Sequence, residues 1–141
     1  MPSFNESLKT GHGVEEQVLN ILRKKYKSAS LVNAYKGYDI WIPELHKSVE
    51  VKQDYKSKYT GNIVVEIEMF DKPSGLLSTT ADYWVFSDKE DSFIAIPVKK
   101  IFHCIMLNNL QYSEFIGKGD TSPKKAYLIN RELLFSYGNP L

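Results

Sequence analysis

The feature that most limits the fold of this chain is a series of short β-type runs between residues 31 and 96, set behind one amphipathic helix. The runs are Leu31–Tyr35, Tyr38–Ile42, Ser48–Lys52, Ile63–Phe70, Tyr83–Phe86 and Ser92–Ile96. Gly37, Pro43 and Gly61-Asn62 punctuate the first four as turns. Ahead of them Val14, Val18, Ile21 and Leu22 recur at helical spacing after Gly11-His12-Gly13, which predicts a helix over residues 14–27. Arg23, Lys24, Lys25 and Lys27 near its end suit the negative pole of the helix dipole. A short helical segment is expected between Pro73 and Ala81, and a second helix from Pro97 to Leu110 with its proline in the first turn. Gly117–Lys125 reads as a loop, and Tyr127–Phe135 returns to the core or to a partner. Helix, strands, helix and strands in this order predict an α/β chain with a mixed β-sheet flanked by helices, αβββαβ.

A length of 141 residues fits one domain, residues 1–141. With 43% apolar and 25% charged residues, the composition is globular rather than disordered. No apolar run approaches the roughly 18 residues of a membrane span, and no signal segment opens the chain. The single cysteine, Cys104, excludes an internal disulfide framework and implies a reducing compartment. A cytoplasmic protein is expected, in the host cytoplasm if the chain is viral, with no membrane partner. The net charge of +1 conceals a segregated pattern. Residues 23–58 hold nine basic against four acidic side chains, whereas residues 59–93 hold two against seven. A basic segment can meet a polyanion, but the near-zero total argues against indiscriminate coating of nucleic acid.

Glu50 and Lys52 lie two apart on a strand, so both side chains emerge on one face, about 7 Å apart, while Val51 faces a core. If Pro43–His46 closes a four-residue hairpin, Asp39 stands opposite Glu50, with Cβ atoms roughly 5 Å apart. Two carboxylates that close repel unless a cation lies between them. A hard divalent ion with oxygen ligands suits the position, and Mg²⁺ is the usual ion of phosphate chemistry. Lys52 beside it can orient a metal-bound water or neutralise charge on a phosphate. Taken alone, Glu-x-Lys on a strand is usually a solvent-facing ion pair.

Glu15 on the first helix, Asp39 in Gly-Tyr-Asp-Ile and Glu50-Val51-Lys52 resemble the active-site signature of the PD-(D/E)XK nuclease superfamily. The order is similar too: a helix with Glu, Asp at a strand start, a short hairpin, then Glu-x-Lys. Tyr38 stands where the motif has proline. The resemblance spans residues 11–96, and the small Holliday junction resolvases and phage-encoded nucleases look most alike. The run from Thr60 through Glu66, Pro73-Ser74-Gly75 and Thr79-Thr80-Ala81-Asp82-Tyr83-Trp84 is more loosely similar to phage-type members. The resemblance implies a restriction-endonuclease-like core and Mg²⁺ as cofactor, with Mn²⁺ able to substitute. It implies Asp39, Glu50 and the Val51 carbonyl as metal ligands, Lys52 as catalytic lysine, and Glu15 as holder of a metal-bound water or second ion. Glu15 shares a helix face with Val18, Leu19 and Leu22, whereas Glu16 reads as surface.

Gln53 follows the lysine, where members of the superfamily often place a polar residue; a strand-end polar residue is the plain alternative. Lys36, Lys56 and Lys58 flank the hairpin and would contact phosphates, with Tyr55 and Tyr59 available to stack on unpaired bases. Ser78, Thr79 and Thr80 can donate to phosphate oxygens, or cap a helix. Glu66 and Glu68 read as solvent-side residues of an alternating strand, or as an extension of the acidic site. His103 and Cys104 read as core, and no Cys or His spacing suggests zinc. No phosphate-cradling Gly-x-x-x-x-Gly-Lys-Ser/Thr motif occurs.

These readings lead to a Mg²⁺-dependent DNA endonuclease, selective for branched DNA structure in the manner of a Holliday junction resolvase, and working as a homodimer. The alternatives are an exonuclease or site-specific endonuclease of the same superfamily, or a non-catalytic DNA-binding or assembly subunit.

Overall fold

Apolar residues at period 3.6 and then at period 2 assemble the chain in a computed structural model that describes residues 4–32, 37–54, 56–116 and 123–141, with side chains from Gly13 onward. Helix α1 (Phe4–Arg23) is followed by β1 (Ser30–Leu31), β2 (Ile40–Ile42), β3 (Lys47–Lys52), α2 (Ser57–Thr60), β4 (Asn62–Met69) and β5 (Lys72–Pro73). After a 3-10 turn at Gly75–Leu77 come β6 (Tyr83–Ser87), β7 (Phe93–Pro97), α3 (Val98–Leu107), β8 (Tyr112–Phe115), β9 (Lys124–Asn130), α4 (Arg131–Phe135) and β10 (Asn139–Pro140).

Among the described residues ten strands form two sheets. The larger runs β1-β2-β3-β6-β7-β10, and the smaller runs β5-β4-β9-β8. Within the larger sheet β2 and β3 are antiparallel, β3 and β6 parallel, and β6 and β7 antiparallel. The chain is therefore a mixed α/β fold whose mixed sheet is flanked by helices. No helix among the described residues is long and apolar enough to cross a membrane.

Alternation along β3 divides the core between the two faces of this sheet. Val49 and Val51 are buried with Val18, Leu19 and Leu22 of α1, Ile40 and Ile42 of β2, and Val85 and Phe93. On the other face Trp84, Phe86, Ile94 and Ile96 are buried with Ile63, Val65 and Ile67 of β4, Ile101 and Cys104 of α3, and Leu134 of α4. Asp82 clamps the starts of β3 and β6: its Oδ2 accepts from the Ser48 amide at 2.9 Å and the Ser48 hydroxyl at 3.1 Å.

Several sequence expectations require correction. The first helix starts at Phe4 and stops at Arg23, so Gly11 and Gly13 lie inside it. A helical glycine costs only about 1 kcal/mol relative to alanine, which packing readily outweighs. The Ile63–Phe70 run does not extend the first sheet; as β4 it pairs with β9 in the second. The helical segment expected between Pro73 and Ala81 shrinks to the single 3-10 turn. Gly75 permits it, with φ of +51°, where an added Cβ would stand 2.2 Å from the Glu66 carbonyl oxygen. Tyr127–Phe135 returns to the core, one of its two expected destinations: Ile129 and Leu134 are fully buried, while Leu128 is exposed. His103 is exposed, not core, while Cys104 is buried. The expected 117–125 loop lies largely outside the described residues, as do Tyr35, Lys36 and Tyr55.

Candidate active site

The register of the β2–β3 hairpin sets the geometry. Ile40 pairs with Val49, Trp41 with Ser48 and Ile42 with Lys47 around the Pro43–His46 turn. The regular pairing ends at Ile40, and Asp39 lies one residue beyond it, so the ladder does not set it directly opposite Glu50. Asp39 sits just before β2 begins. Its amide donates to the Val49 carbonyl at 2.8 Å, and its carboxylate Oδ2 accepts from the Val51 amide at 2.7 Å. The side chain thus stands in for a ladder carbonyl at the strand end. Burial pushes the Asp39 carboxyl above its ordinary pKa; the Val51 amide works against this, Glu50 nearby adds to it, and Lys52 opposes it.

Glu50 and Lys52 share the face opposite Val49 and Val51. The Lys52 ammonium forms an ion pair with Glu50 Oε2 and lies 3.9 Å from the centroid of the Trp84 ring. Trp84 is the parallel-ladder partner of Glu50. Glu50 Oε1 accepts from the Thr79 hydroxyl at 3.3 Å. Thr79 Oγ1 in turn accepts from the indole Nε1–H of Trp84 and from the Ala81 amide, each at 3.2 Å. Three charged side chains and two supporting ones therefore converge where β2, β3 and β6 meet the 79–81 segment.

A groove of about 680 Å³ opens beside them, between the β3–α2 connection and β4, lined by Lys52, Gln53, Asp54, Lys56, Glu66 and Trp84 among others. Asp54 Oδ1 accepts from the amides of Lys56 and Ser57, each at 3.1 Å, and so starts α2. Its Oδ2 is buried without a hydrogen-bond partner. On the far wall Glu66 accepts from the Ser74 hydroxyl at 2.8 Å, and Lys124 stands 3.8 Å from its other oxygen. Glu68 instead pairs with Lys125 at 3.1 Å. The bulge between Glu66 and Glu68 separates their environments.

The other expected site residues divide by position. Glu15 is half-buried and Glu16 exposed, as their helix faces predict. Helix α1 packs over the Val49 and Val51 face of β3 through Val18, Leu19 and Leu22. Gln53 and Lys56 line the groove. Lys58 lies on α2, its ammonium 5.0 Å from the Tyr59 ring, and Tyr59 is 81% exposed. Thr80 is exposed and Thr79 half-buried, with the Thr79 hydroxyl turned to Glu50. Lys36 lies outside the described residues.

Sequence reasoning passed over two residues. Trp84 enters the sequence reading only as a strand residue and as the end of a loosely similar run, because its adjacency to Glu50 exists only once β3 and β6 pair in parallel. Asp54 did carry a local signal, an Asp three residues before Ser57 at the start of a short helix. No family model, curated protein or solved structure matches this chain.

Proposed function

We propose that this chain is a Mg²⁺-dependent DNA endonuclease of restriction-endonuclease-like architecture, selective for branched DNA. The observation that carries the reading is the convergence of Asp39, Glu50 and Lys52 at the ends of paired strands, beside a groove with basic residues on its wall. The donor set fits a small hard cation. Mg²⁺ is commonly held by one or two carboxylates with water completing its shell, and Asp39 and Glu50 provide two. The Val51 carbonyl, on the residue whose amide binds Asp39, is the candidate third protein ligand. Such an ion would polarise a phosphodiester and lower the pKa of an attacking water.

The chain's own residues account for the rest of the chemistry. Lys52 neutralises Glu50 and stands ready to meet the charge that develops on phosphate oxygens during hydrolysis. Lys56 lines the groove and Lys58 follows it on α2, and both would supply phosphate contacts to a nucleic-acid backbone, with exposed Tyr59 beside them for an unpaired base. A second protomer would present a second set of these groups, as paired cuts across a junction require. The helix, hairpin and Glu-x-Lys order within a mixed sheet supports the restriction-endonuclease-like assignment.

A cleavage panel of four-way junction, flap, linear duplex and single strand, with Mg²⁺ or Mn²⁺, tests the reading. The expected result is paired nicking of the junction, with linear duplex left largely intact and Asp39→Asn inactive. Degradation of linear DNA from its ends would instead assign an exonuclease. Equal cleavage by Asp39→Asn would remove the metal site from the mechanism.

A further inference from the structure

The Thr79 hydroxyl has one proton and two acceptor lone pairs. Both acceptor positions are taken by groups that can only donate, the Trp84 indole N–H and the Ala81 amide. Its proton is thereby left for Glu50 Oε1, 3.3 Å away. The direction of this chain follows from the chemistry of its ends, since an indole N–H cannot accept and an ionised carboxylate cannot donate. Trp84 is only 2% exposed, so its N–H has no access to bulk water as an alternative partner. The same indole carries the Lys52 ammonium over its ring. One buried side chain therefore touches both arms of the Glu50–Lys52 pair, one through Thr79 and the other through its π-face.

We propose that Thr79, aimed by Trp84, is a positioning residue of the Asp39–Glu50–Lys52 site: its hydroxyl fixes the rotamer of the Glu50 carboxylate while the Trp84 ring fixes Lys52. This rests on the nuclease reading and changes the expected role of Thr79, from a phosphate donor to a holder of Glu50. Outer partners that orient a ligating carboxylate typically contribute 10–100-fold to metal affinity or activity. They act on turnover more than on substrate binding, because the DNA does not touch them.

The experiment compares wild type with Thr79→Val, which keeps the shape and loses the hydroxyl, and with Thr79→Ser, which keeps the hydroxyl. Three measurements are made: the Trp84 indole N–H resonance and its hydrogen exchange, calorimetric Mn²⁺ binding, and junction cleavage. In Thr79→Val the indole proton should shift and exchange faster. Mn²⁺ affinity and kcat should each fall by about 10–100-fold with KM little changed, and Thr79→Ser should restore all three. A Thr79→Val protein that moves the indole resonance yet binds Mn²⁺ and cuts as wild type does would overturn the positioning role alone. An unshifted indole resonance would remove the hydrogen-bonded chain itself. A wild-type protein that neither binds Mn²⁺ nor cleaves any DNA would overturn the nuclease reading, and this inference with it.

Discussion

The two faces of β3 differ in what holds them. Toward α1, Val49 and Val51 sit in a buried apolar cluster, where shape and volume are the only requirements. Toward β4, Glu50 and Lys52 are half-buried and every contact is directional: an ion pair, a hydroxyl donor and an aromatic face. Adjacent residues of one strand thus serve opposite ends, and the difference teaches where each kind of substitution should act. Changes toward α1 should cost stability, whereas changes toward the groove should cost chemistry.

The largest expected effect lies on the groove face. Lys52→Ala should lose turnover by about 100-fold or more, the scale of removing a group that stabilises developing charge, while its melting temperature stays close to wild type. Rapid-quench cleavage and thermal melting, measured on one preparation, decide this. A Lys52→Ala protein that cuts at the wild-type rate would assign this lysine to the surface instead.

On the α1 face, Val51→Ala should destabilise the fold by about 2 kcal/mol, two buried methyl groups and the space they leave. Chemical denaturation reads this directly. The comparison breaks if Val51→Ala leaves stability untouched but abolishes cleavage, since the two faces would then not be separable.

Asp39 lies at the boundary between the faces and sharpens the contrast through pH. Burial raises its carboxyl above the unfolded value, so the native state favours the protonated form. That contribution is present in acid and is lost as pH rises through the raised pKa, leaving a destabilising charge at neutrality. Without divalent ions, Asp39→Asn should therefore gain in melting temperature relative to wild type as pH rises from 4 toward 7. Added Mn²⁺ should then stabilise wild type and leave Asp39→Asn unmoved. A variant less stable than wild type at pH 7 in the absence of metal would contradict the burial argument.

Much of the local architecture was legible in the residues. The Pro43–His46 hairpin and its register, β6 and β7, and the inward face of Val49 and Val51 all follow from period-2 alternation and turn chemistry, which act over a few residues. Glu15 was separable from Glu16 by helical period alone. What failed was any inference about which strand joins which sheet. β4 has the same alternation as β3, and nothing local says that its partner is β9, more than fifty positions later.

The sequence by itself determined the hairpin around Pro43–His46, which carries Asp39 and Glu50 on its two arms, and set Glu50 and Lys52 on one face, through strand geometry alone. Tertiary structure decided what surrounds them. The parallel pairing of β3 with β6 sets Trp84 beside Glu50, the 79–81 segment delivers Thr79 to its carboxylate, and the second sheet builds the groove wall with Glu66. The physical reason is range. Backbone sterics and side-chain period act between neighbours along the chain, whereas a hydrogen bond across 29 positions, as from Thr79 to Glu50, exists only after the whole core has closed.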